Sequence, residues 1–463
     1  MYKRQLCALA AGCGDRTPAR RPDVLLISLD TLRADRLGCY GYARETSPFL
    51  DRVAARGVRF ASAHAPSQHT APSHMSLFTG LDPMGHQVRN PSGPDSPLAV
   101  LHEDLTTLPE LLQRGGYRTV AVTDRGNLQP AMGFDRGFDR HEAFLDELPR
   151  KLKLVREVLE GEPADEPLFL FFHTYAIHSP YLPKGRFHGL FTDPAYGGTF
   201  RERYDAIAPL PPLDAWGESK DFLKTWEGMD ETDVAWLSDL YDEGIAYADD
   251  QIGRLWQLWS RHRDPEDTLL VITSDHGEEF WEHGALGHRR GLYRELVHVP
   301  LILDGPDLGS GVVAQPVALT GLFATLLEYL DLPCPEVQVD SFLPLALDPG
   351  APLDPGPVYG QAVGSRRAGQ YEAVSEAELR LVRRAGQRGG GSALYPWTPT
   401  YAPEVDAAAE RPQDVERHQA LLNQRRLEGI ALQRKYPPGR GATRGEELLR
   451  ELSALGYFDG EDE

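Results

Sequence analysis

Seven side chains able to bind a metal ion or transfer a proton lie close together in the second half of the chain. Within residues 275–288, the segment DHGEEFWEHGALGH supplies Asp275, His276, Glu278, Glu279, Glu282, His283 and His288. Carboxylates and imidazoles are common ligands of divalent cations in proteins. A segment this polar and this rich in histidine is unlike an ordinary solvated helix start, so it favours a metal or catalytic site.

Further residues of the same chemical kind stand directly after apolar runs. Asp30 follows VLLISL, His173 follows LFLFF, and Asp275 with His276 follows LLVITS. Such runs are typical of strands buried on both faces of a parallel sheet, whose ligands bind beyond the carboxyl ends of the strands. We therefore expect three strand ends to bring these side chains to one edge. Two alternatives stand beside this: Asp30 caps the next helix, and His173 is a buried, hydrogen-bonded histidine, which we favour for His173.

The stretch HTAPSH, residues 69–74, has the build of a catalytic loop with a small hydroxyl residue before Ala-Pro-Ser. A threonine hydroxyl has a high pKa, so Thr70 can act as a nucleophile only if a metal ion coordinates it and favours its alkoxide. The alternative is structural, because a threonine shortly before a proline caps a helix well, here one starting near Ala71.

Helical and strand patterns alternate through the segments that carry these residues. TSPFLDRVAARGVRF predicts a helix that ends near Gly57, and LTTLPELLQRGGYRTVAVTD predicts a helix, a Gly-Gly break and a strand. EPLFLFFHTY predicts a buried strand, and EGIAYADDQIGRLWQLWSRHRDPEDTLLVITSDHGEE predicts a helix, a loop and a strand. This alternation predicts a doubly wound α/β fold with a largely parallel central sheet flanked by helices.

The composition is that of a globular protein, with 41% apolar and 25% charged residues among 463. This length predicts one large domain with a smaller one, or two domains. A formal charge of −21 argues against nucleic acid or an anionic membrane surface as the main partner, since either would need a cationic face. A local basic pocket for a small anion is compatible with this charge.

The N-terminus reads MYKRQLCALAAGCGD, with two early cations, a short apolar run and a Gly-Cys pair that ends at Cys13. This is typical of the end of a bacterial lipoprotein signal, although the apolar run is shorter than usual. We expect an exported protein, periplasmic or anchored by a lipid on Cys13, with a cytoplasmic protein as the alternative. No other segment approaches the ~20 apolar residues of a membrane span. Cys39 and Cys334 fit neither a disulfide framework nor a metal knuckle.

Five blocks of the sequence resemble, in order, those of the sulfatase-like branch of the alkaline phosphatase superfamily. They are DVLLISLDTLRADRLGCYGY, TAPSHMSLFTGL, HTYAIHSPYLP, YDEGIAYADDQIGRL and SDHGEEFWEHGALGHRRGLYRELVHVPLI, spread from residue 23 to about residue 303. The first and last blocks are specific, and the resemblance fades beyond about residue 350. The resemblance implies an α/β core with a smaller C-terminal subdomain and a metal-assisted hydrolysis of an anionic ester.

The same resemblance implies that Asp30, Asp275 and His276 are metal ligands. Family members that use sulfate esters commonly carry a second Asp where this chain has Thr31, and many have Asn where it has His276. Both departures shift the site from an all-oxygen, calcium-like cage toward zinc or manganese. We expect one divalent ion, Zn, Mn or Ca. A second ion is left open, because more histidines are available but no further carboxylate stands at a suitable spacing.

Thr70 falls on the nucleophile position of the family's Cys-x-Pro-Ser-Arg loop. In sulfatases a cysteine or serine there is oxidised to formylglycine, and threonine does not match that maturation signal. Threonine nucleophiles belong to the phosphodiesterase and phospho-alcohol transferase branches. The resemblance therefore favours Thr70 as a metal-bound nucleophile over a role in capping alone. It also moves the expected ester from sulfur toward phosphorus.

Three histidines are implied to assist the nucleophile, the substrate anion or the leaving group. His74 stands where sulfatases place an arginine that steadies the nucleophile, and a surface histidine on the first helical turn is an equal alternative. His178, in His-Ser-Pro-Tyr, matches a histidine that contacts the anion. His288 occupies the region where the family brings a lysine or histidine to the leaving group. Arg289 and Arg290 add local positive charge for anion capture.

The chain divides into three predicted parts: a leader at 1–22, a catalytic domain at 23–350 and a C-terminal subdomain with a helical tail at 351–463. LALDPGAPLDPGPVYG predicts a linker near residue 345, and VYGQAVG and AELRLVRRAG predict strands after it. DVERHQALLNQRRLEGIALQRKY and EELLRELSALGYFDGEDE predict two amphipathic helices in the tail. The irregular region from about 185 to 235 is our candidate for substrate choice.

Three functions fit these residues. The leading hypothesis is a metal-dependent hydrolase or transferase of phosphate, phosphonate or sulfate esters, acting on a small anionic ester through a covalent intermediate on Thr70. The second is a sulfatase that works without formylglycine. The third is an inactive, sulfatase-shaped binding protein, which the altered loop allows. The divalent site at Asp30, Asp275 and His276 argues against the third, because a binding module does not need it.

Overall fold

The chain is described here by a computed structural model. It describes residues 21–90, 98–144, 148–163, 165–210, 229–288, 291–363, 370–385, 391–397 and 405–439. Most of the predicted leader, the pair Arg289 and Arg290 and the second predicted tail helix lie outside these ranges. Among the described residues, no helix combines the length and the apolar character that crossing a membrane requires.

The helices and strands follow one another as the alternating sequence pattern predicts. The strands are β1 (Asp23–Leu29), β2 (Val58–Phe60), β3 (Ala63–His64), β4 (Arg118–Thr123), β5 (Arg140–Ala143), β6 (Leu168–Thr174), β7 (Thr268–Thr273), β8 (Glu279–Phe280), β9 (Leu286–Gly287), β10 (His298–Val299), β11 (Leu301–Asp304), β12 (Gly311–Val313), β13 (Val317–Ala318), β14 (Val358–Val363), β15 (Gln370–Glu376), β16 (Leu379–Ala385) and β17 (Ser392–Pro396). The helices are α1 (Pro48–Arg56), α2 (Thr70–Thr79), α3 (Pro83–His86), α4 (Leu108–Arg114), α5 (Leu148–Gly161), α6 (Thr199–Ile207), α7 (Glu231–His262), α8 (Arg294–Val297), α9 (Leu322–Tyr329), α10 (Leu343–Leu347) and α11 (Pro412–Lys435).

An eight-stranded sheet in the order β12-β2-β11-β7-β1-β6-β4-β5 forms the centre of the molecule. The pairs that join β7, β1, β6, β4 and β5 are all parallel, which confirms the predicted α/β fold with a largely parallel sheet. β11 runs antiparallel to both β7 and β2. Strand direction leaves no trace in composition, so the sequence could not indicate this reversal.

Strand β1 is buried on both faces of the sheet. Leu25, Ile27 and Leu29 pack into one apolar cluster, whereas Val24 and Leu26 pack into the other. Successive side chains of a strand point to opposite faces, so a strand covered on both sides must be apolar at every position. Each fully buried aliphatic side chain contributes about 1.5–3 kcal/mol relative to an exposed one. The strand that ends at Asp30 is therefore held firmly in place.

The C-terminal subdomain is an antiparallel sheet in the order β14-β15-β16-β17, covered by α11. Leu422 of α11 packs with Val374, Leu381 and Leu394 of the sheet. The two predicted strands correspond to β14 and β16, and the first predicted tail helix corresponds to α11. The predicted linker is wrong in its first part, where α10 forms because its apolar side chains are buried against the core.

Candidate active site

The register of the central strands brings the predicted ligands to one edge. Ser28 of β1 lies opposite His173 of β6 and opposite Thr273 of β7. Asp30 and Asp275 each follow two residues later, so they stand level beyond the ends of neighbouring strands. His173 is still within β6, two positions before that level. The expectation that three strand ends gather these side chains is confirmed.

Asp30, Asp275 and His276 form a buried cluster that could hold a metal ion. Each offers one ligand atom within 4.8 Å of the other two. His276 Nε2 lies 3.4 Å from Asp275 Oδ2 and 4.0 Å from Asp30 Oδ1. His276 Nδ1 donates to the carbonyl of Gly277 at 2.9 Å, which leaves the Nε2 lone pair for a cation. Within the described ranges, this is the one such group of three.

The electrostatics of this cluster fit a divalent cation. Asp30 Oδ1 and Asp275 Oδ2 are buried and have no hydrogen-bond partner. Burial and the neighbouring Asp275 raise the pKa of Asp30 well above its usual value. Burial alone would raise the pKa of Asp275 too, but His276 and His74 hold it below its usual value. Two neighbouring carboxylates in a dry interior repel each other, and a cation between them removes that cost.

Thr70 opens helix α2 and turns its hydroxyl toward this cluster. Its Oγ1 donates to Asp30 Oδ2 at 3.3 Å and lies 3.4 Å from His276 Nε2. The N-cap residue is His69, and it makes no side-chain capping bond. The alternative that Thr70 N-caps the helix is therefore wrong. The structure places its oxygen beside the ligand atoms, where a metal-activated nucleophile would have to be.

The backbone turns sharply directly after Asp30. Thr31 has φ 60°, a left-handed conformation that a β-branched residue adopts at a cost of about 1–3 kcal/mol. The Thr31 carbonyl accepts a hydrogen bond from the Tyr241 hydroxyl at 2.6 Å, which helps to hold this turn. Asp30 itself bonds to Thr70 and His173, and the residue at the N-cap of the next helical turn is Arg33. The alternative that Asp30 only caps a helix is wrong.

His74 lies beneath Thr70 rather than on the surface. Only 1% of the residue is exposed, because α2 is buried on every side. Its Nδ1 donates to the Thr70 carbonyl at 2.9 Å, and its Nε2 accepts from Ser28 Oγ at 2.9 Å. The surface alternative is wrong. Since both ring nitrogens bond to protein atoms and Nδ1 lies 3.6 Å from Asp275, the geometry suits positioning of Thr70 and Asp275 better than donation to an anion.

His173 is the buried, hydrogen-bonded histidine that we favoured. Its Nε2 donates to Asp30 Oδ2 at 3.1 Å, the same oxygen that accepts from Thr70. Burial holds the pKa of His173 well below its usual value, so the ring is neutral. This contact helps to orient the Asp30 carboxylate.

His178 and His288 meet beside the ligand cluster. His178 Nδ1 donates to the Ser179 carbonyl at 2.7 Å, and His288 Nδ1 donates to the Gln68 carbonyl at 3.1 Å. Their Nε2 atoms lie 3.2 Å apart, so one proton must stand between them. Burial lowers the pKa of His178 to about 4. The ring of His288 lies 4.3 Å from that of His276, so the pair adjoins the cluster.

Sequence patterns missed the groups that orient these side chains. Ser28 and the carbonyls of Gln68, Ser179 and Gly277 each fix one histidine ring. Backbone carbonyls carry no residue-type signal, so no motif could have identified three of these four. His69, whose ring lies 5.6 Å from His288, was recognisable only as the residue beside Thr70.

Comparison with known proteins identifies related chains. A family model described as Sulfatase matches residues 22–332. The uncharacterized sulfatase YidJ of Escherichia coli (strain K12) is 25% identical over 360 residues, 69% of this chain and 69% of that protein. The multifunctional alkaline phosphatase superfamily protein PehA of Trinickia caryophylli is 25% identical over 384 residues, 67% of this chain and 74% of that protein.

The fold also resembles solved structures. The phosphonate monoester hydrolase of Agrobacterium radiobacter superposes with a TM-score of 0.67 at 21% identity, covering 90% of this chain and 96% of that one. The range matched by the family model contains all the candidate site residues and ends before β14. The C-terminal sheet lies outside the family match.

Proposed function

Because the chain belongs to the sulfatase family, we propose that it is a metal-dependent hydrolase or transferase that cleaves phosphate, phosphonate or sulfate esters with Thr70 as the nucleophile. The observation that supports this most is the position of the Thr70 hydroxyl, 3.3 Å from Asp30 and 3.4 Å from His276. A threonine hydroxyl buried among metal-ligand atoms can be activated directly by a metal ion bound there. The proposed substrate is a small anionic ester.

The proposed metal ligands are Asp30, Asp275 and His276, with Thr70 beside them. When bound, a divalent ion supplies positive charge that favours the threonine alkoxide and offsets the charge on the ester oxygens. An imidazole together with carboxylates suits zinc or manganese better than calcium, which takes oxygen ligands. The proposal needs one ion, and it leaves a second ion open.

Each side chain has its own role in the proposed reaction. The Thr70 oxygen attacks phosphorus or sulfur and forms a new ester bond, while the bond to the alcohol oxygen breaks. Thr70 passes its proton to Asp30 Oδ2, which accepts its hydrogen bond, and the alcohol oxygen takes a proton from the His178–His288 pair, so the protein gains or loses no net proton in this step. Water, or an acceptor alcohol in a transferase, then cleaves the Thr70 ester and restores the hydroxyl. His74 and His173 hold Thr70 and Asp30 in place.

Sulfate esters are the second candidate substrate class, since the Escherichia coli relative carries the name sulfatase. Threonine at position 70 favours phosphorus, because the formylglycine of sulfatases is made from cysteine or serine. Turnover of 4-nitrophenyl sulfate far faster than of a matched phosphate diester would support the sulfatase alternative. Failure of the metal-loaded protein to turn over any ester would support an inactive binding protein.

The test is a panel of 4-nitrophenyl sulfate, phosphate, phosphate diester and phosphonate monoester, assayed on protein whose metal content has been measured. We expect Thr70→Ala to lower turnover of each active substrate by ~10³-fold or more, because the covalent step is lost. The matched control is Thr79→Ala, which removes a hydroxyl at the other end of α2 that donates to the Met75 carbonyl at 2.7 Å and accepts from the Leu81 backbone N–H at 3.4 Å. Near-full activity of Thr70→Ala would contradict the covalent mechanism.

Export is a separate part of the proposal and rests on the sequence of residues 1–22 alone. If a lipid is attached at Cys13, Cys13→Ser should move the protein from the membrane fraction to the soluble fraction of the periplasm. The same fractionation of the unmodified chain would contradict export if the protein stayed in the cytoplasm.

A further inference from the structure

Arg380, on β16 of the C-terminal sheet, is a buried guanidinium that reaches into the catalytic domain. Only 1% of the residue is exposed. Its Nη1 donates to Ser375 Oγ at 2.9 Å and to His64 Nδ1 at 3.3 Å, and its Nε donates to the Leu292 carbonyl at 3.3 Å. His64 and Leu292 belong to the catalytic domain, so one side chain connects two of its segments to the C-terminal sheet.

The first of these segments leads to the nucleophile. His64 ends β3, six residues before Thr70. Its Nε2 donates to Ser62 Oγ at 2.9 Å, and its ring lies 4.2 Å from that of Trp397. Trp397 Nε1 donates to the same serine oxygen at 2.8 Å. Burial and the charge of Arg380 hold the pKa of His64 well below its usual value, so its Nδ1 remains an acceptor for the guanidinium.

Residues 65–69 join His64 to Thr70, and their carbonyls are held from three directions. The Pro66 carbonyl accepts from the backbone N–H of Gln361 in β14 at 2.8 Å. The Ser67 carbonyl accepts from Ser73 Oγ of α2 at 2.9 Å, and the Gln68 carbonyl accepts from His288 at 3.1 Å. The C-terminal sheet thus holds this loop at Pro66 as well as at His64.

The second segment follows His288. Leu292 stands four residues after it and accepts from Arg380. Two residues further, Arg294 donates from Nη2 to the Pro396 carbonyl at 3.2 Å, and its guanidinium lies 4.8 Å from the Trp397 ring. Arg380 lies 5.1 Å from the same ring. Both segments therefore meet the same small part of the C-terminal subdomain.

We propose that Arg380 is a positioning residue that fixes the loop carrying Thr70 relative to the segment carrying His288. The catalytic roles of Thr70 and His288 rest on the proposed function. The coupling of their two segments through Arg380 does not. A planar guanidinium can donate to several acceptors in fixed directions at once, which a lysine ammonium does not reproduce. Arg380 lies outside residues 22–332, so the family match carries no information about it.

The experiment compares Arg380→Met with Arg425→Met. Arg425 is also a buried arginine of the C-terminal subdomain that bonds the catalytic domain, through Asp82 at 2.6 Å and the Gln338 carbonyl at 2.8 Å. Its bonds reach neither active-site segment. Hydrogen exchange is measured on the full chain with both variants, followed by kcat and KM on the best ester of the panel, well below the Tm of each variant.

We expect Arg380→Met to speed hydrogen exchange in residues 64–70 and 291–294, and Arg425→Met to leave both segments unchanged. We expect kcat of Arg380→Met to fall about tenfold to a hundredfold, since displacements near 1 Å cost rates of that size, with KM changed less than about threefold. Arg425→Met should keep kcat within about twofold. The exchange rates and kcat of Arg380→Lys should lie between those of the wild type and of Arg380→Met, because lysine keeps the positive charge but lacks the planar guanidinium.

Unchanged exchange in residues 64–70 in Arg380→Met, or a kcat no lower than that of Arg425→Met, would overturn the proposal. The exchange measurement needs no substrate. If no ester is turned over, the proposed function fails while exchange still decides the role of Arg380. If Arg380→Met does not fold, Arg380→Lys carries the same two measurements and the same criteria.

Discussion

The two sides of the candidate active site are built in different ways. The acidic side, Asp30, Asp275 and His276, stands at the ends of neighbouring parallel strands whose register sets their level. The histidine side, His178 and His288, lies on loops and is oriented by backbone carbonyls. The fold itself fixes the ligand cluster, whereas loop contacts fix the proposed proton donor. The proposed proton donor can therefore change without disturbing the ligand cluster.

The largest effect is expected on the acidic side. Asp275→Asn removes one of the two carboxylate charges, so the metal content should drop and kcat should fall by ~10³-fold or more, as loss of metal catalysis costs several kcal/mol. Elemental analysis and the ester panel measure both, and treatment of the wild type with a chelator should give the same loss. Asp104→Asn is the control, because that side chain is 75% exposed. An active Asp275→Asn protein without metal would contradict the assignment of the cluster.

A smaller effect is expected on the histidine side. His288→Ala should lower kcat about 10²- to 10⁴-fold, the range of general acid catalysis, while metal content stays equal to that of the wild type. Loss of metal from His288→Ala would show instead that the two sides of the site depend on each other. His288→Lys should recover part of the activity, since a lysine can also supply a proton to the leaving group. His102→Ala serves as the control for loss of an imidazole outside the site.

The smallest effect is a pH dependence of stability in the hairpin of β8 and β9 that leads to His288. Burial raises the pKa of Glu279 to about 7; Glu282 and Glu295 add to this, and His283 opposes it. The folded state binds this proton more tightly than the unfolded chain, where the pKa of Glu is about 4.3. The stabilisation is therefore complete below about pH 4 and is lost as the pH rises through about 7.

Glu279→Gln removes this titration. Between pH 5 and 8, the Tm of the wild type should fall relative to that of Glu279→Gln by a few degrees. Thermal unfolding of metal-loaded protein at four pH values measures the difference. Glu157→Gln, at a side chain 53% exposed, should follow the wild type at every pH. If the Tm of the wild type and that of Glu279→Gln changed equally with pH, this prediction would be contradicted.

Burial on both faces explains why much of the acidic side could be predicted from the sequence. Strands such as β1, β6 and β7 must be apolar at nearly every position, so they stand out, and the polar residues that end them stand out too. Asp30, Asp275 and His276 followed from that signal together with the family resemblance. The same reasoning misjudged His74, because a helix-face argument assumes that one face of α2 meets solvent.

The contacts of Arg380 could not be predicted in this way. His64 and Arg380 are separated by 316 residues, and neither stands in a pattern that points to the other. Their contact depends on how the C-terminal sheet packs on the catalytic domain, which the local sequence does not encode in any legible form. The backbone carbonyls that orient His178 and His288 were invisible for a related reason, since every residue type carries the same carbonyl.

The strand order also has a consequence for folding during synthesis of the chain. β1 is central in the sheet, yet its partners β6 and β7 start 145 and 245 residues later, at positions 168 and 268 against 23. At synthesis rates of 5–20 residues per second, the second partner follows roughly 10 to 50 s after β1. During that interval an apolar strand lacks one or both of its neighbours, and parallel pairings of such long range form slowly. We expect the nascent chain to need protection by a chaperone until both partners have been made.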